Sequence, residues 1–239
     1  MHLFFSEDLA ISYLTGEEAR HCYKVLRLTL GDQIQITDGK GRLAKAVLTQ
    51  VDANRVDFHI VQSISMEQSA YAVHMAICPT RKAERNEWMV EKMTELGVLQ
   101  IQFVVSEHTH RETLNRVVNL ERLNRIALSA MKQSQQYFLP KISIQSSFPA
   151  FLAQVDQPQR YIAYVTDHNV PEHLLNQVQA AQEVCVLIGP EGDFSSTEIK
   201  EAVEAGFKPV SLGSTRLRTE TAAVMACHAV HLAQVLDKR

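Results

Sequence analysis

Two short segments in the last quarter of the chain hold the residues best suited to chemistry. The first is Leu187-Ile188-Gly189-Pro190-Glu191-Gly192-Asp193-Phe194-Ser195. An apolar, strand-like run ends there in two glycines and a proline. The sequence Ser195-Ser196-Thr197-Glu198 then opens a helix with the capping-box pattern. Glycines at 189 and 192 remove side chains and free the backbone to bond a ligand closely. Loops at the carboxyl ends of strands are where open α/β sheets hold their ligands. A plain strand-to-helix turn would also account for two glycines. The second segment is Leu212-Gly213-Ser214-Thr215-Arg216-Leu217-Arg218-Thr219-Glu220-Thr221-Ala222-Ala223. It too follows a short strand and runs into a helix, and Arg218 and Glu220 flank the helix start. Taken alone, Glu220 reads as a first-turn acid that complements the helix dipole, with Arg218 as its surface partner.

Other constellations carry less. His108 and His110 are two apart on a loop with no cysteine or carboxylate at ligand spacing, which favours a surface pair over a zinc site. His228 and His231 lie one turn apart on the last helix, where packing or interface roles are expected. Trp88 reads as core or dimer contact, and Met89 and Met93 read as core. The 189–192 loop lacks the Lys-Ser/Thr end of a P-loop, and no Gly-x-Gly-x-x-Gly fingerprint is present. The four cysteines, Cys22, Cys78, Cys185 and Cys227, are too widely spaced for a metal knuckle and sit in apolar segments, so buried free thiols are expected. No metal is expected.

The elements that must position these residues fall into two regions, set at 1–70 and 71–239. The first reads as mostly β. Residues 33–37 alternate polar and apolar, Asp38-Gly39-Lys40-Gly41 is a turn, and 43–51 and 56–61 supply two further strands around a turn at 52–55. Short strands at this spacing predict a small barrel. One helix interrupts it, opened by a capping box in which Thr15 caps the Glu18 amide and Glu18 reaches back. On that helix Arg20, Lys24 and Arg27 fall on one face. From residue 71 onward, apolar strands alternate with helices. Strands are predicted at 73–78, 101–105, 161–166, 184–188 and 209–212. Helices are predicted at 84–96, 120–133, 195–206 and 219–236, the last with Met225, Ala229, Leu232 and Leu236 at helical spacing. This alternation predicts a parallel sheet covered on both faces.

Composition sets the frame. The 239 residues carry 24 basic and 27 acidic side chains, a net charge of −3, which argues mildly against nucleic-acid binding. Distribution tells more than the sum. Between residues 20 and 45 stand Arg20, Lys24, Arg27, Lys40, Arg42 and Lys45 against only Asp32 and Asp38, a local excess that suits a phosphate-facing patch as well as it suits scatter. The first residues show no basic leader, and no apolar run reaches membrane-spanning length, so a cytoplasmic protein without a membrane partner is expected.

Taken together, Gly-Pro-Glu-Gly after a strand and Leu-Gly with Leu-Arg-x-Glu-Thr-Ala into the last helix resemble the SPOUT RNA methyltransferases, whose α/β domain ends in a trefoil knot. Within them the chain is most similar to the 16S ribosomal RNA uridine-N-3 methyltransferases. Further anchors are His21-x-x-x-Val25-Leu26-Arg27, Glu91-Lys92-x-x-Glu95-Leu96-Gly97-Val98 and the 121–131 helix. The resemblance implies an α/β fold with a small PUA-like barrel before the knotted domain. It implies S-adenosyl-L-methionine as cofactor, held largely by backbone at Leu187, Ile188, Gly189, Pro190, Glu191 and Gly192 in one loop. Leu212, Gly213, Leu217, Thr221 and Ala222 would hold it in the other. It implies a homodimer acting on 16S rRNA of the small ribosomal subunit, with RNA contacts at Arg20, His21, Lys24, Arg27 and Arg42. Asp193, His108, Lys132 and Gln135-Gln136 stand where that family commonly has a glycine, an arginine, an acid and a Gly-Arg pair.

Transfer of a methyl group to N-3 requires loss of the N-3 proton. Arg218 is the expected stabiliser of charge developing on the uracil edge, and Glu220 the group that fixes Arg218 or acts as a base. Two alternatives stand beside this reading. One is a non-catalytic RNA-binding dimer, which would have no use for the paired loops. The other is a methyltransferase of the same fold acting on transfer RNA ribose, against which the N-terminal barrel argues.

Overall fold

The computed structural model describes residues 2–109, 111–166 and 170–236. Contacts divide the chain into two compact units. One comprises residues up to 68 together with 131–139; the other comprises 69–130 and the chain from 140 onward. Among the described residues no helix is long and apolar enough to cross a membrane.

The first unit is a five-stranded sheet, β1 (Leu3–Phe5), β2 (Tyr13–Thr15), β3 (Gln33–Thr37), β4 (Arg42–Val51) and β5 (Arg55–Ser65), in the order β1-β3-β4-β5-β2. Strict alternation turns Ile34 and Ile36 to one side, where Phe4, Leu14, Ala44, Ala46, Leu48, Val56 and Phe58 join them in a single core. Register shifts in the β4–β5 ladder, at Lys45/Ala46 and Leu48/Gln50, bend the sheet. β1 and β2 occupy its two ends and pair with inner strands rather than with each other. The expected barrel is therefore an open sheet that wraps its own core. The turn between β3 and β4 is held by Asp38, whose Oδ1 accepts from the amides of Lys40 (2.7 Å) and Arg42 (3.0 Å). Gly41, at φ +95°, is obligatory there, because a β-carbon would lie 2.5 Å from the Phe138 ring.

The helix in this unit departs from the sequence reading. Thr15 ends β2 in extended conformation and makes no side-chain cap bond to α1 (Gly16–Arg20). Glu18 does not close a capping box. Its Oε2 accepts from the Phe5 amide at 3.2 Å, and its Oε1 pairs with the Lys132 ammonium. Those partners come from distant sequence, which a local pattern does not contain. After Arg20 the chain continues as a π-turn, His21–Val25. The wider turn breaks the 3.6-residue spacing, and Arg27 lies beyond it at φ +54°. Arg20, Lys24 and Arg27 are all exposed, but they do not form one α-helical stripe.

The second unit carries six strands: β6 (Val73–Ile77), β7 (Gln100–Val104), β8 (Lys141–Gln145), β9 (Gln159–Ala163), β10 (Val184–Ile188) and β11 (Lys208–Val210). Every pairing is parallel, in the order β11-β9-β10-β6-β7-β8. β10 is buried at every position, as its unbroken apolar run requires. The helices are α2 (Ala83–Glu95), α3 (Leu114–Val117), α4 (Leu120–Gln133), α5 (Phe148–Leu152), α6 (Leu174–Gln177), α7 (Ser196–Glu204) and α8 (Thr219–Leu236). Met89 and Met93 on α2 are fully buried, whereas Trp88 is exposed and is not core. On α8 the buried stripe is Ala223, Ala226, Cys227, Val230, Ala233 and Gln234, while Met225 and Leu236 face outward. His231 is partly buried and shares a 2.9 Å hydrogen bond with Tyr71; burial lowers its pKa.

Helices do not cover the sheet on both faces throughout. At the β6–β7–β8 end, His74, Gln100, Gln102 and Ser143 line an open groove of about 330 Å³ that the five-residue α5 leaves unfilled. α7 opens with the capping box expected from its sequence. The Ser195 hydroxyl accepts from the Glu198 amide, and Glu198 Oε2 accepts from the Ser195 amide. Glu198 does more than cap, since its Oε1 accepts from the Glu107 amide at 2.8 Å and ties the loop after β7 to α7. Urea unfolding should show Ser195→Ala costing roughly 1 kcal/mol. Glu198→Ala should cost roughly 2 kcal/mol, because it also strands the Glu107 amide. Equal costs would mean that the Glu107 contact contributes nothing.

Candidate active site

All six strands of the second unit are parallel, so the loops after β9, β10 and β11 emerge at one edge. Together they wall one cavity of about 650 Å³. One wall is Ile188 to Asp193, following β10. The second runs from Val210 to Thr219 and on to Ala222 at the start of α8. The third is Ala163 to Thr166 with Val170 and Pro171.

Short contacts lock the walls together. The Thr219 hydroxyl donates to the Gly189 carbonyl at 3.0 Å, pinning the amino end of α8 to the first loop. Gly189 has no room for a side chain, since a β-carbon would meet the Phe194 ring at 3.0 Å and Asp193 Oδ1 at 3.2 Å. Asp193 adopts φ +62°, a left-handed conformation that suits glycine and that Asp tolerates through local hydrogen bonds. Its Oδ1 accepts from the Phe194 amide and its Oδ2 from the Val165 amide, both at 2.8 Å, so the side chain also staples the third wall to the first. His108 Nδ1 donates to the Asp193 carbonyl at 2.8 Å, which places a proton on that nitrogen.

Of the residues expected to hold a cofactor, Ile188, Gly189, Pro190, Glu191, Gly192, Leu212, Gly213, Leu217 and Ala222 line the cavity. Leu187 and Thr221 do not; Leu187 is fully buried in the sheet core. Arg218 lines the cavity, is exposed, and has no acidic partner among the described residues. Glu220 does not hold Arg218. It is buried, and its Oε1 pairs with Arg85 Nε at 3.4 Å. The helix turns Glu220 inward toward α2, while Arg218 precedes the first turn and stays at the opening. Oε2 of Glu220 is buried without a hydrogen-bond partner among the described residues. The candidate RNA residues Arg20, His21, Lys24, Arg27 and Arg42 belong to the first unit; all are exposed, and none lines this cavity.

Sequence reasoning missed Arg85, the third wall and the Thr219 contact. Arg81 and Arg85 stand four apart, a visible spacing, but their partner Glu191 lies about a hundred residues away and no local pattern links them. His110 lies outside the described residues. The four cysteines are buried and free, and burial pushes Cys22 up to about 11 and Cys78, Cys185 and Cys227 up to about 12, which leaves no thiolate near neutral pH.

Comparison with known proteins agrees with this architecture. Residues 67–231 match the RNA methyltransferase domain family, and residues 14–61 match the RNA methyltransferase PUA domain. Sheet, loops and these matches define the class as an RNA methyltransferase. Ribosomal RNA small subunit methyltransferase E of Synechocystis is 30% identical over 217 residues, covering 89% of this chain and 70% of that protein. The crystal structure of a probable rRNA-methyltransferase from Porphyromonas gingivalis superposes with a TM-score of 0.92 at 38% identity, covering 99% of this chain and 100% of that one. A ribosomal RNA small subunit methyltransferase E from Neisseria gonorrhoeae, bound to S-adenosyl methionine, superposes with a TM-score of 0.84 at 27% identity, covering 97% of each chain. The chain belongs to the ribosomal RNA small subunit methyltransferase E family.

The Asp193 staple is testable by thermal unfolding. Stability should fall in the order Asp193, Asn, Gly, Ala. Asn keeps both the left-handed preference and an acceptor, Gly keeps only the conformation, and Ala keeps neither. Ala should lie roughly 1 kcal/mol below Gly from backbone strain. An alanine variant as stable as the glycine variant would remove the strain argument.

Proposed function

We propose that this protein uses S-adenosyl-L-methionine to methylate N-3 of a uridine in 16S rRNA, with the cavity walled by residues 188–193 and 210–222 as the donor site. The observation that carries this reading is the convergence of the two glycine-bearing loops on one cavity. Its volume is in the range of small-molecule pockets. The backbone at Gly189, Gly192 and Gly213 borders the cavity and suits a ligand held by amides and carbonyls, and Ile188, Leu212, Leu217 and Ala222 suit its apolar parts. When bound, the donor supplies an electrophilic methyl group on a sulfonium, so the protein's task is orientation and exclusion of water.

Arg218 lines the cavity and has no acidic partner among the described residues. It is assigned the role of stabilising negative charge on the uracil edge as the N-3 proton leaves. The target base must leave its stack to reach the site. RNA is assigned to the exposed Arg20, His21, Lys24, Arg27 and Arg42 of a PUA-like domain spanning about residues 1–70. The domain of residues 71–239 is assigned the trefoil knot, consistent with α8 being tied by Thr219 to the loop after β10. A homodimer is supported by the outward apolar side chains of Met225, Val235 and Leu236 on α8 and by exposed Trp88 on α2.

Mass-spectrometric mapping of ribosomal RNA from a deletion strain should show one missing N-3-methyluridine, restored by the gene. An unchanged map would remove the proposal. In vitro, Arg218→Ala should lower turnover about a hundredfold, in line with loss of one charge-stabilising group. Calorimetry should find donor binding nearly unchanged in that variant. Near-normal turnover would show that Arg218 has another role.

A further inference from the structure

We propose that Arg85 is a positioning residue of the donor site, coupling its two loops through Glu191 and Glu220. The assignment rests on reading the cavity as the donor site. Arg85 lies on the first turn of α2. Its Nη1 reaches Glu191 Oε1 at 3.1 Å, in the loop after β10, and its Nε reaches Glu220 Oε1 at 3.4 Å, in the first turn of α8. One guanidinium thus touches the segments that form two walls of the cavity. Arg presents donors in a fixed fork, which suits two carboxylates on different elements better than a single ammonium does.

The base of this fork is rigid. The neighbouring Asn86 is fully buried. Its side-chain oxygen accepts from the Thr80 amide and hydroxyl, each at 2.9 Å, and its side-chain nitrogen donates to the carbonyls of Thr80 (3.2 Å) and Val117 (2.9 Å). The start of α2 is therefore fixed in rotation. The two arms differ in environment. Glu191 is one-third exposed and also lies 3.5 Å from Arg81, so its pairing is screened and shared. The Glu220 side chain is only 11% exposed, and among the described residues its other oxygen has no partner and Arg85 is its cation. Without Arg85 a nearly buried carboxylate is left unpaired, and it must turn or draw in water. Either response moves the first turn of α8 and with it Thr219, whose hydroxyl holds the Gly189 carbonyl. The path Arg85–Glu220–Thr219–Gly189 makes the separation of the two loops depend on a side chain outside the cavity lining.

Two measurements on the full chain test this. The first is hydrogen exchange without ligand, comparing wild type, Arg85→Met, Arg85→Lys and Arg122→Met. Arg122, on α4, is the control, since it pairs with Glu87 on α2 and does not line the cavity. Arg85→Met should speed exchange in residues 189–193 and 213–221 about tenfold, and Arg122→Met should leave both segments unchanged. The second is calorimetry with S-adenosylmethionine. Arg85→Met should raise Kd about tenfold, Arg85→Lys should recover part of that loss, and Arg122→Met should match wild type. If Arg85→Met fails to fold, Glu220→Gln and Glu191→Gln sever the arms singly, and the first should disturb the loops more. Wild-type exchange rates and Kd in Arg85→Met would overturn the proposal. If wild type itself bound no donor, the donor-site reading would fall, while ligand-free exchange would still decide whether Arg85 couples the loops.

Discussion

The parallel direction of the larger sheet is the constraint on which the rest of the second unit depends. A parallel strand cannot be joined to its neighbour by a tight turn, so each connection crosses a face of the sheet back to the amino edge, and every strand then ends at the same carboxyl edge. Loops after β9, β10 and β11 therefore meet, although residues 163, 188 and 210 are far apart in sequence. Burial of β10 at every position follows from the same arrangement and anchors the Gly189–Gly192 loop to the most rigid part of the fold. A loop tethered in this way can be irregular without being loose.

That irregularity has a local cost, met by specific contacts. Gly189 is closed in by Phe194, Asp193 is left-handed, and Gly213 stands at φ +131°. Positive φ at a non-glycine residue costs on the order of 1 kcal/mol. Asp193 offsets this by accepting from two backbone amides, one of them in a different wall of the cavity. Asp193 thus trades the conformational ease a glycine would have at this left-handed position for a cross-loop tie. His108 completes the arrangement from a third direction by donating to the Asp193 carbonyl. Asp193 and His108 therefore support each other.

What the sequence disclosed, and what it did not, divides along the range of the interactions involved. The 219–236 helix, the strand at 184–188 and the Ser195–Glu198 capping box are written in neighbouring residues, and the structure has all three. Thr15–Glu18 has the same local pattern, but Glu18 is claimed by Lys132 and the Phe5 amide, more than ten residues away on either side, and the cap does not form. Periodicity on α8 suggested a stripe through Met225 and Leu236. The helix is apolar nearly all round, so period alone could not say which side meets the sheet, and small residues such as Ala223 and Ala226 pack there instead. The paired loops were legible as two segments, and their meeting is a property of the topology. Strands β1 and β2 went unseen because three residues carry too little pattern, whereas β8 does alternate at Ile142 and Ile144 and its signal was present.

Charge placement around the cavity separates two arginines that look alike in sequence. Arg218 stands two residues from Glu220 and Arg85 stands far from it in sequence, so proximity along the chain favours pairing Arg218 with Glu220. The helix geometry forbids it. Thr219 and Glu220 begin α8 with their side chains turned into the unit, whereas Arg218 precedes the first turn and remains at the cavity mouth. Arg85, from another helix, neutralises Glu220, which would otherwise be a nearly buried negative charge beside the cavity. Pairing it with Arg85 keeps Glu220 from claiming Arg218, which has no acidic partner among the described residues. A cation held by a carboxylate has little field left for a reacting group, so in the role proposed for Arg218 its electrostatic value depends on Glu220 being occupied by Arg85.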